Sequence, residues 1–255
     1  MRLLIVEDES YGRIYAKELQ TEFGHEVVCV TTPAAALACL TDQRFDAAIV
    51  DMLFHAEIDA FDRRSVGRQN PLTAKFIASG LSVIHAARNA GVGTVIWTTE
   101  AQDRRLHIQF ALEELGTRCM CMKSSAERDS VRDLHVAATA AAEGREWTDP
   151  VSRIALPAPG ARSLRATIMS EPSEKRAYWR ALALGLTDAK QAKEVVGVRV
   201  RDLVAPMSRD LNELMPYRQQ RGFAIRRAAN ARDLQIFAVE NRTFFLDEAV
   251  REVFP

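Results

Sequence analysis

The sequence is short of the residues and runs that mark several large classes of protein. Its 255 residues include four cysteines, and no apolar run approaches the roughly 18 residues of a membrane-spanning helix. The N-terminus turns acidic within a few residues, which argues against a secretory signal peptide. The cysteines lie in apolar stretches and the five histidines are scattered, so we expect reduced thiols and no zinc site. The composition predicts a cytoplasmic protein without membrane contact.

Motifs of metabolic enzymes are also missing. No glycine-rich phosphate loop, nucleophile elbow or pairing of histidine with aspartate stands out. We therefore do not expect an independent enzyme.

The net charge of zero hides an asymmetry between the two parts of the chain. Residues 1–150 hold 16 Lys and Arg against 22 Asp and Glu, whereas residues 151–255 hold 18 against 12. An acidic half and a basic half suggest different partners. The basic half could bind nucleic acid, or it could meet the acidic half of the same protein.

The first half alternates apolar strands with amphipathic helices. Five stretches are typical of strands, namely LLIV (3–6), EVVCV (26–30), AAIVD (47–51), TVIWT (94–98) and RCMCM (118–122). Helical patterns lie between and after them, at residues 10–23, 33–40, 80–91, 102–115 and 125–143. This alternation predicts an α/β fold with a doubly wound, five-stranded parallel sheet.

The remaining segments set the expected domain organisation. Residues 54–79 fit no element and are predicted to form an insertion within a first domain at residues 1–147. Residues 148–165 contain TDP and PAPG and are predicted to be a linker. A second domain would then occupy residues 166–255.

Polar side chains stand where four of the predicted strands end. Glu7 and Asp8 follow the first strand, Asp51 ends the third, Thr98 ends the fourth and Lys123 follows the fifth. In a parallel sheet these ends gather at one rim, where ligands bind. Clustered carboxylates are tolerable there if Mg²⁺ neutralises them. The alternative is that these acidic residues lie in a solvated turn after a strand, which would give the same sequence pattern.

The stretches LLIVEDE, FDAAIVD, GVGTVIWTTEA and GTRCMCMK, in this order, resemble the receiver domain of bacterial two-component response regulators over residues 2–143. The resemblance implies a flavodoxin-like fold in which Asp51 accepts a phosphoryl group from a sensor histidine kinase. It implies that Thr98 is the switch hydroxyl and Lys123 the invariant lysine. Glu7, Asp8, Asp51 and the backbone carbonyl of Leu53 would hold Mg²⁺. Any catalysis would be limited to Mg²⁺-dependent self-phosphorylation and dephosphorylation.

Three positions differ from the receiver pattern. His55 stands where the family usually has a proline, Met120 replaces the switch aromatic, and Ser124 replaces the proline after the lysine. Switching through an aromatic rotamer is therefore not expected. A receiver that no longer takes a phosphoryl group, and responds to another signal, remains an alternative.

Residues 173–214 contain helical patterns that resemble the helix-turn-helix of response-regulator transcription factors. GLT and a turn at Gly197 precede the predicted recognition helix, in which Pro206 is expected to cause a kink or break. Arg199, Arg201 and Arg209 are predicted to contact DNA. The resemblance implies a homodimer on double-stranded DNA that controls transcription.

The last forty residues resemble no family. The stretch LQIFAVENRTFFLDE predicts a C-terminal β-hairpin around a polar turn. Additional phosphate contacts are predicted for four arginines, Arg218, Arg221, Arg226 and Arg227. The alternative for the whole basic half is an adaptor domain that binds a protein partner.

Overall fold

The computed structural model describes most of the chain in two compact units. The described residues are 1–55, 76–99, 104–123, 128–156, 160, 162–186, 193–194, 196–213 and 229–255. One unit holds the described residues up to 156, and the other holds those from 160 onward. Among these residues, no helix is long and apolar enough to cross a membrane.

The first unit alternates strands with helices, as the sequence predicts. Its strands are β1 (Arg2–Val6), β2 (Glu26–Val30), β3 (Ala47–Val50), β4 (Leu53–His55), β5 (Phe76–Ser79), β6 (Gly93–Thr98), β7 (Cys119–Met122) and β8 (Trp147–Thr148). Its helices are α1 (Ser10–Phe23), α2 (Pro33–Asp42), α3 (Leu81–Asn89), α4 (Arg105–Glu113) and α5 (Arg128–Ala142). Local signals fix several ends: Gly24, with φ of 65°, ends α1, and the Thr32 side chain caps the amino terminus of α2.

The main sheet is parallel, with the strand order β2-β1-β3-β6-β7-β8. The first five of these strands have the flavodoxin-type order, so the predicted α/β class and parallel sheet are confirmed. The predicted number of five strands is wrong, because β8 pairs with Cys119 and Met120 at the edge of the sheet. A strand of two residues has too few positions to show an alternating pattern.

The chain after β8 remains attached to the sheet through Asp149. The buried carboxylate of Asp149 accepts hydrogen bonds from the backbone N–H groups of Met122 (2.8 Å), Val151 (2.7 Å) and Ser152 (2.9 Å). A short 3₁₀ turn, Ser152–Ala155, follows. The first residues of the predicted linker are therefore packed as part of the first unit.

The core of the first unit depends on the alternation of side chains along each strand. Leu3 and Ile5 of β1 share a buried cluster with residues of β3, β6 and β7 and of helices α1 and α5. Leu4 and Val6 point to the opposite face, where α2 and α3 contact the sheet. Both faces are covered, which is why these strands are apolar throughout.

The predicted insertion begins and ends in strands. β4 and β5 form a separate antiparallel pair in which Leu53 lies opposite Ser79. The prediction that residues 54–79 fit no element is therefore wrong at both ends, while residues 56–75 lie outside the described part of the chain. Gly80 is necessary where this pair meets the main sheet, because a Cβ there would overlap the Asp51 carbonyl oxygen.

The second unit is helical in its described residues. The helices are α6 (Ser173–Ala183), α7 (Val200–Glu213), α8 (Ala231–Glu240), α9 (Arg242–Phe245) and α10 (Glu248–Val253). Trp179 of α6 is fully buried, stacks on Phe245 at 5.3 Å between ring centroids and meets Phe237 edge-on at 5.5 Å. A buried ion pair joins α6 to α7, with Lys175 Nζ 2.5 Å from Asp210 Oδ2.

The predicted C-terminal β-hairpin is wrong, because this stretch forms α8 and α9. Asn230 and Asp233 form a capping box at the start of α8, and each side chain accepts a hydrogen bond from the other residue's backbone N–H. Leu234, Phe237 and Ala238 are buried at helical spacing. Aromatic and branched residues favour strands in general, but here the cap and the spacing decide for a helix.

Pro206 neither ends nor divides α7. The helix runs from Val200 to Glu213 with Pro206 inside it, so the expected break is absent. Leu203, Met207 and Leu211 are buried at intervals of four residues, which indicates that burial of one apolar face holds the helix together across the proline. The second predicted helix of the helix-turn-helix lies largely outside the described residues.

Candidate functional site

The candidate site lies at the carboxyl ends of four adjacent strands, β1, β3, β6 and β7. Backbone hydrogen bonds continue one residue past these ends: Asp51 N donates to Val6 O at 3.0 Å, and Lys123 N donates to Thr98 O at 2.8 Å. The parallel register therefore brings side chains that are far apart in sequence to the same rim. The structure brings together Glu7, Asp8, Asp51, Thr98 and Lys123.

Asp51 is at the centre of this group and is 2 % exposed. Its Oδ1 accepts hydrogen bonds from Met52 N at 2.6 Å and from Thr98 Oγ1 at 3.0 Å. Its Oδ2 lies 2.7 Å from Lys123 Nζ. Both oxygens are thus held by donors from the strand ends, which fixes the orientation of the carboxylate.

Lys123 joins two buried carboxylates. Its ammonium group forms ion pairs with Glu7 and with Asp51, and its side chain is 5 % exposed. Nζ also lies 5.2 Å from the ring centroid of Trp97, close enough for a cation–π interaction. One ammonium group therefore faces two carboxylates.

The pKa of Glu7 is shifted by its burial and by the charged groups around it. Burial raises the pKa of Glu7 to about 7, and the negative charge of Asp51 adds to the rise, while the Lys123 ammonium opposes it. The backbone N–H of Glu9 donates to Glu7 Oε1 at 2.9 Å. Near neutral pH, Glu7 is therefore divided between its neutral and charged forms.

Asp8 is held by His55. The backbone N–H of His55 donates to Asp8 Oδ2 at 2.6 Å, and His55 Nδ1 lies 3.2 Å from the same oxygen. Within the described part of the chain, the buried Oδ1 of Asp8 has no hydrogen-bond donor. This leaves one carboxylate oxygen with its capacity to accept unused.

The carboxylates have the chemistry of a site for a hard cation. One oxygen from each of Glu7, Asp8 and Asp51 lies within 4.8 Å of the others. Mg²⁺ prefers carboxylate and carbonyl oxygens, and the unused Asp8 Oδ1 is suited to such an ion. Leu53, whose carbonyl is also predicted as a ligand, begins β4 two residues after Asp51.

Arg104 reaches the same group, and the sequence reasoning missed it. Its guanidinium Nη2 lies 4.0 Å from Asp51 Oδ2, and its side chain is 6 % exposed. Burial, followed by this neighbouring positive charge, lowers the pKa of His107 to about 3, so His107 is neutral. The pair Arg104-Arg105 at a helix start was a usable signal, because cations are unfavourable near a helix amino terminus.

Of the other two positions that differ from the receiver pattern, the structure describes one. Met120 is fully buried within β7 and is part of the sheet. Ser124 lies outside the described residues.

Three of the arginines predicted to contact DNA are described, and all are exposed. Arg199 immediately precedes α7, and Arg201 and Arg209 lie on it. Arg201 Nε is 3.5 Å from Asp202 on the surface. The other four, Arg218, Arg221, Arg226 and Arg227, lie outside the described residues.

Comparisons with known proteins return similar structures only. No protein-family model and no curated protein matches the chain. A receiver domain of the Francisella response regulator 1452 has a TM-score of 0.39 and 12 % identity, covering 56 % of this chain and 97 % of that one.

Two other solved structures give comparable values. A LuxR-family two-component response regulator from Aurantimonas sp. SI85-9A1 has a TM-score of 0.43 and 16 % identity, covering 60 % of this chain and 92 % of that one. A CheY-like receiver domain protein from Methanospirillum hungatei JF-1 has a TM-score of 0.40 and 19 % identity, covering 56 % and 97 %.

Proposed function

We propose that this chain is a response regulator of a two-component system, in which Asp51 accepts a phosphoryl group from a sensor histidine kinase. The proposal is supported mainly by the two groups that contact the Asp51 carboxylate. Lys123 Nζ lies 2.7 Å from one carboxylate oxygen, and the Thr98 hydroxyl lies 3.0 Å from the other. A cation and a hydroxyl beside one buried carboxylate can stabilise the negative charge of a phosphoryl group transferred to that carboxylate.

In the proposed reaction, an Asp51 oxygen forms a bond to phosphorus while the bond from phosphorus to the kinase histidine nitrogen breaks. The electron pair of that bond returns to the imidazole. The Lys123 ammonium then pairs with the phosphoryl oxygens, and the Thr98 hydroxyl donates a hydrogen bond to one of them. Mg²⁺, held by Asp8, Asp51 and the Leu53 carbonyl with Glu7 beside it, would offset the charge of the transferred group.

Beryllofluoride, which mimics a phosphoryl group on a carboxylate, provides a direct test. We expect beryllofluoride with Mg²⁺ to change the fluorescence of Trp97, because that ring lies 5.2 Å from Lys123 Nζ. Asp51→Asn should abolish the change. The matched control Asp42→Asn, at an exposed position on α2, should preserve it.

The proposed output is control of transcription by a homodimer on double-stranded DNA. It is supported by α7, which presents exposed Arg201 and Arg209 opposite a buried apolar face, and by the preceding exposed Arg199. With a pool of randomised duplex DNA, we expect selection of a preferred sequence and strong salt dependence. Arg209→Ala should reduce the salt slope by about one. Arg232→Ala, exposed on α8, is the matched control.

Two alternatives have specific support. A receiver that takes no phosphoryl group is favoured by the replacement of the family's proline by His55, which occupies Asp8 Oδ2. Asp51→Asn without effect on regulation, together with no response to beryllofluoride, would establish it. An adaptor domain is the alternative for the second unit, and absence of any sequence preference in the DNA experiment would favour it.

A further inference from the structure

Arg104 gives Asp51 a second cation from a different direction. Lys123 approaches Asp51 Oδ2 from the end of β7 at 2.7 Å, whereas the Arg104 guanidinium approaches the same oxygen at 4.0 Å from the start of α4. Charge-assisted hydrogen bonds between nitrogen and oxygen are typically about 2.7–2.9 Å long. The positive charge of Arg104 is therefore close enough to be attracted by Asp51, but the distance is too long for a direct hydrogen bond.

Arg104 brings a buried positive charge close to Asp51. Its side chain is 6 % exposed, so water screens the charge of its guanidinium only weakly. It also lies at the amino-terminal cap of α4, where the helix dipole repels a positive charge. The charge acts on its surroundings, because it contributes to the lowered pKa of buried His107.

A phosphoryl group on Asp51 would fit this spacing. It would add three strongly accepting oxygens beyond the carboxylate, in the region between Asp51 and the guanidinium. Arginine suits such a group because its fork of donors can bind two oxygens at once. The carboxylate alone meets Arg104 at 4.0 Å, whereas the larger anion would reach it directly.

We propose that Arg104 is a phosphoryl-binding residue, whose guanidinium donates hydrogen bonds to the phosphoryl oxygens once Asp51 is phosphorylated. The inference rests on the proposed phosphoryl acceptance by Asp51 and adds a residue to that site. Because Arg104 directly precedes the first residue of α4, the contact also ties the phosphoryl group to that helix. This link does not involve residue 120, where the receiver pattern has its switch aromatic and this chain has Met120.

The test compares two dissociation constants in the full chain. Trp97 fluorescence reports Mg²⁺ binding without beryllofluoride, and then beryllofluoride binding at saturating Mg²⁺. In Arg104→Met we expect the dissociation constant of beryllofluoride to rise about 10- to 140-fold, since hydrogen bonds to charged groups contribute about 1.5–3 kcal/mol. The Mg²⁺ constant should stay the same or fall, because a cation near its ligand Asp51 has been removed. Arg104→Lys should recover part of the beryllofluoride affinity.

The matched control is Arg132→Met, at an exposed position on α5, which should change neither constant. If both constants rise together in Arg104→Met, the arginine supports the fold and the proposal is overturned. An unchanged beryllofluoride constant also overturns it, while wild-type binding would leave the proposed function standing. If the wild type itself does not bind beryllofluoride, both proposals fail. Should Arg104→Met not fold, Arg104→Gln supplies the same comparison.

Discussion

Replacing Lys123 by methionine tests whether the rim is held together by charge. Lys123 is 5 % exposed on its side chain and pairs with Glu7 and Asp51, which are 0 % and 2 % exposed. Methionine keeps the length of the side chain but removes the ammonium group that pairs with both buried carboxylates. Removing one partner of a buried ion pair typically costs about 3–5 kcal/mol. We expect a loss in this range at pH 8 without Mg²⁺.

The loss should depend on pH in a defined direction. The pKa of Glu7 is raised to about 7 from 4.5, so the folded state favours the protonated carboxyl. The protonated Glu7 carboxyl therefore adds to the free energy of unfolding. This contribution is complete below pH 4.5 and is lost as the pH rises through about 7. In Lys123→Met the pKa of Glu7 should rise further, since the ammonium that lowers it is gone. The cost of the substitution should therefore be about 1 kcal/mol smaller at pH 6 than at pH 8.

Hydrogen exchange of the β1 and β3 amides measures the free energy of unfolding of the first unit alone. Adding Mg²⁺ at 100 times its dissociation constant should return about 2.7 kcal/mol to Lys123→Met. Lys17→Met, exposed on α1, is the control and should change stability by less than about 0.5 kcal/mol. A loss below about 1 kcal/mol for Lys123→Met would refute the view that its ammonium compensates the two carboxylates.

Three further changes have clear expectations. The pKa of His107 is lowered to about 3, so its unfolded form binds more protons below pH 6.5 and stability falls with acid. His107→Leu should reduce the loss between pH 6.5 and 5 by about 2 kcal/mol, measured by exchange of the β6 amides. Lys175→Met should destabilise the second unit by about 3 kcal/mol in urea, and adding Asp210→Leu should restore most of it. Gly80→Ala should cost the first unit about 1–3 kcal/mol, because its Cβ overlaps the Asp51 carbonyl, as shown by loss of β3 amide protection.

The sheet and the five rim positions could be predicted because they depend on patterns that a sequence records directly. Leu3 to Val6 and Ala47 to Val50 are continuous apolar runs, as strands covered on both faces must be. Once the strands are parallel and adjacent, the residues that follow them must meet. The juxtaposition of Asp51, Thr98 and Lys123 is a consequence of strand order and needs no local motif.

Other elements depend on contacts that leave little trace in sequence. β8 has two residues and exists because β7 offers an unpaired edge, and β4 exists because β5 pairs with it. The apolar residues of α8 satisfy both a strand pattern and a helical one until the Asn230 cap is considered. Arg104 and His55 join the site through helix placement and strand pairing, and neither belongs to the receiver motifs.

The charges at the rim are difficult to explain as a means of stabilising the fold. Glu7, Asp8 and Asp51 repel one another within 4.8 Å, and burial together with Asp51 raises the pKa of Glu7 to about 7. Apolar residues of similar volume at buried ionic positions often give equal or greater stability. Two cations, Lys123 and Arg104, are buried in the same place at further cost. Such an arrangement is expected where charge must be bound or transferred.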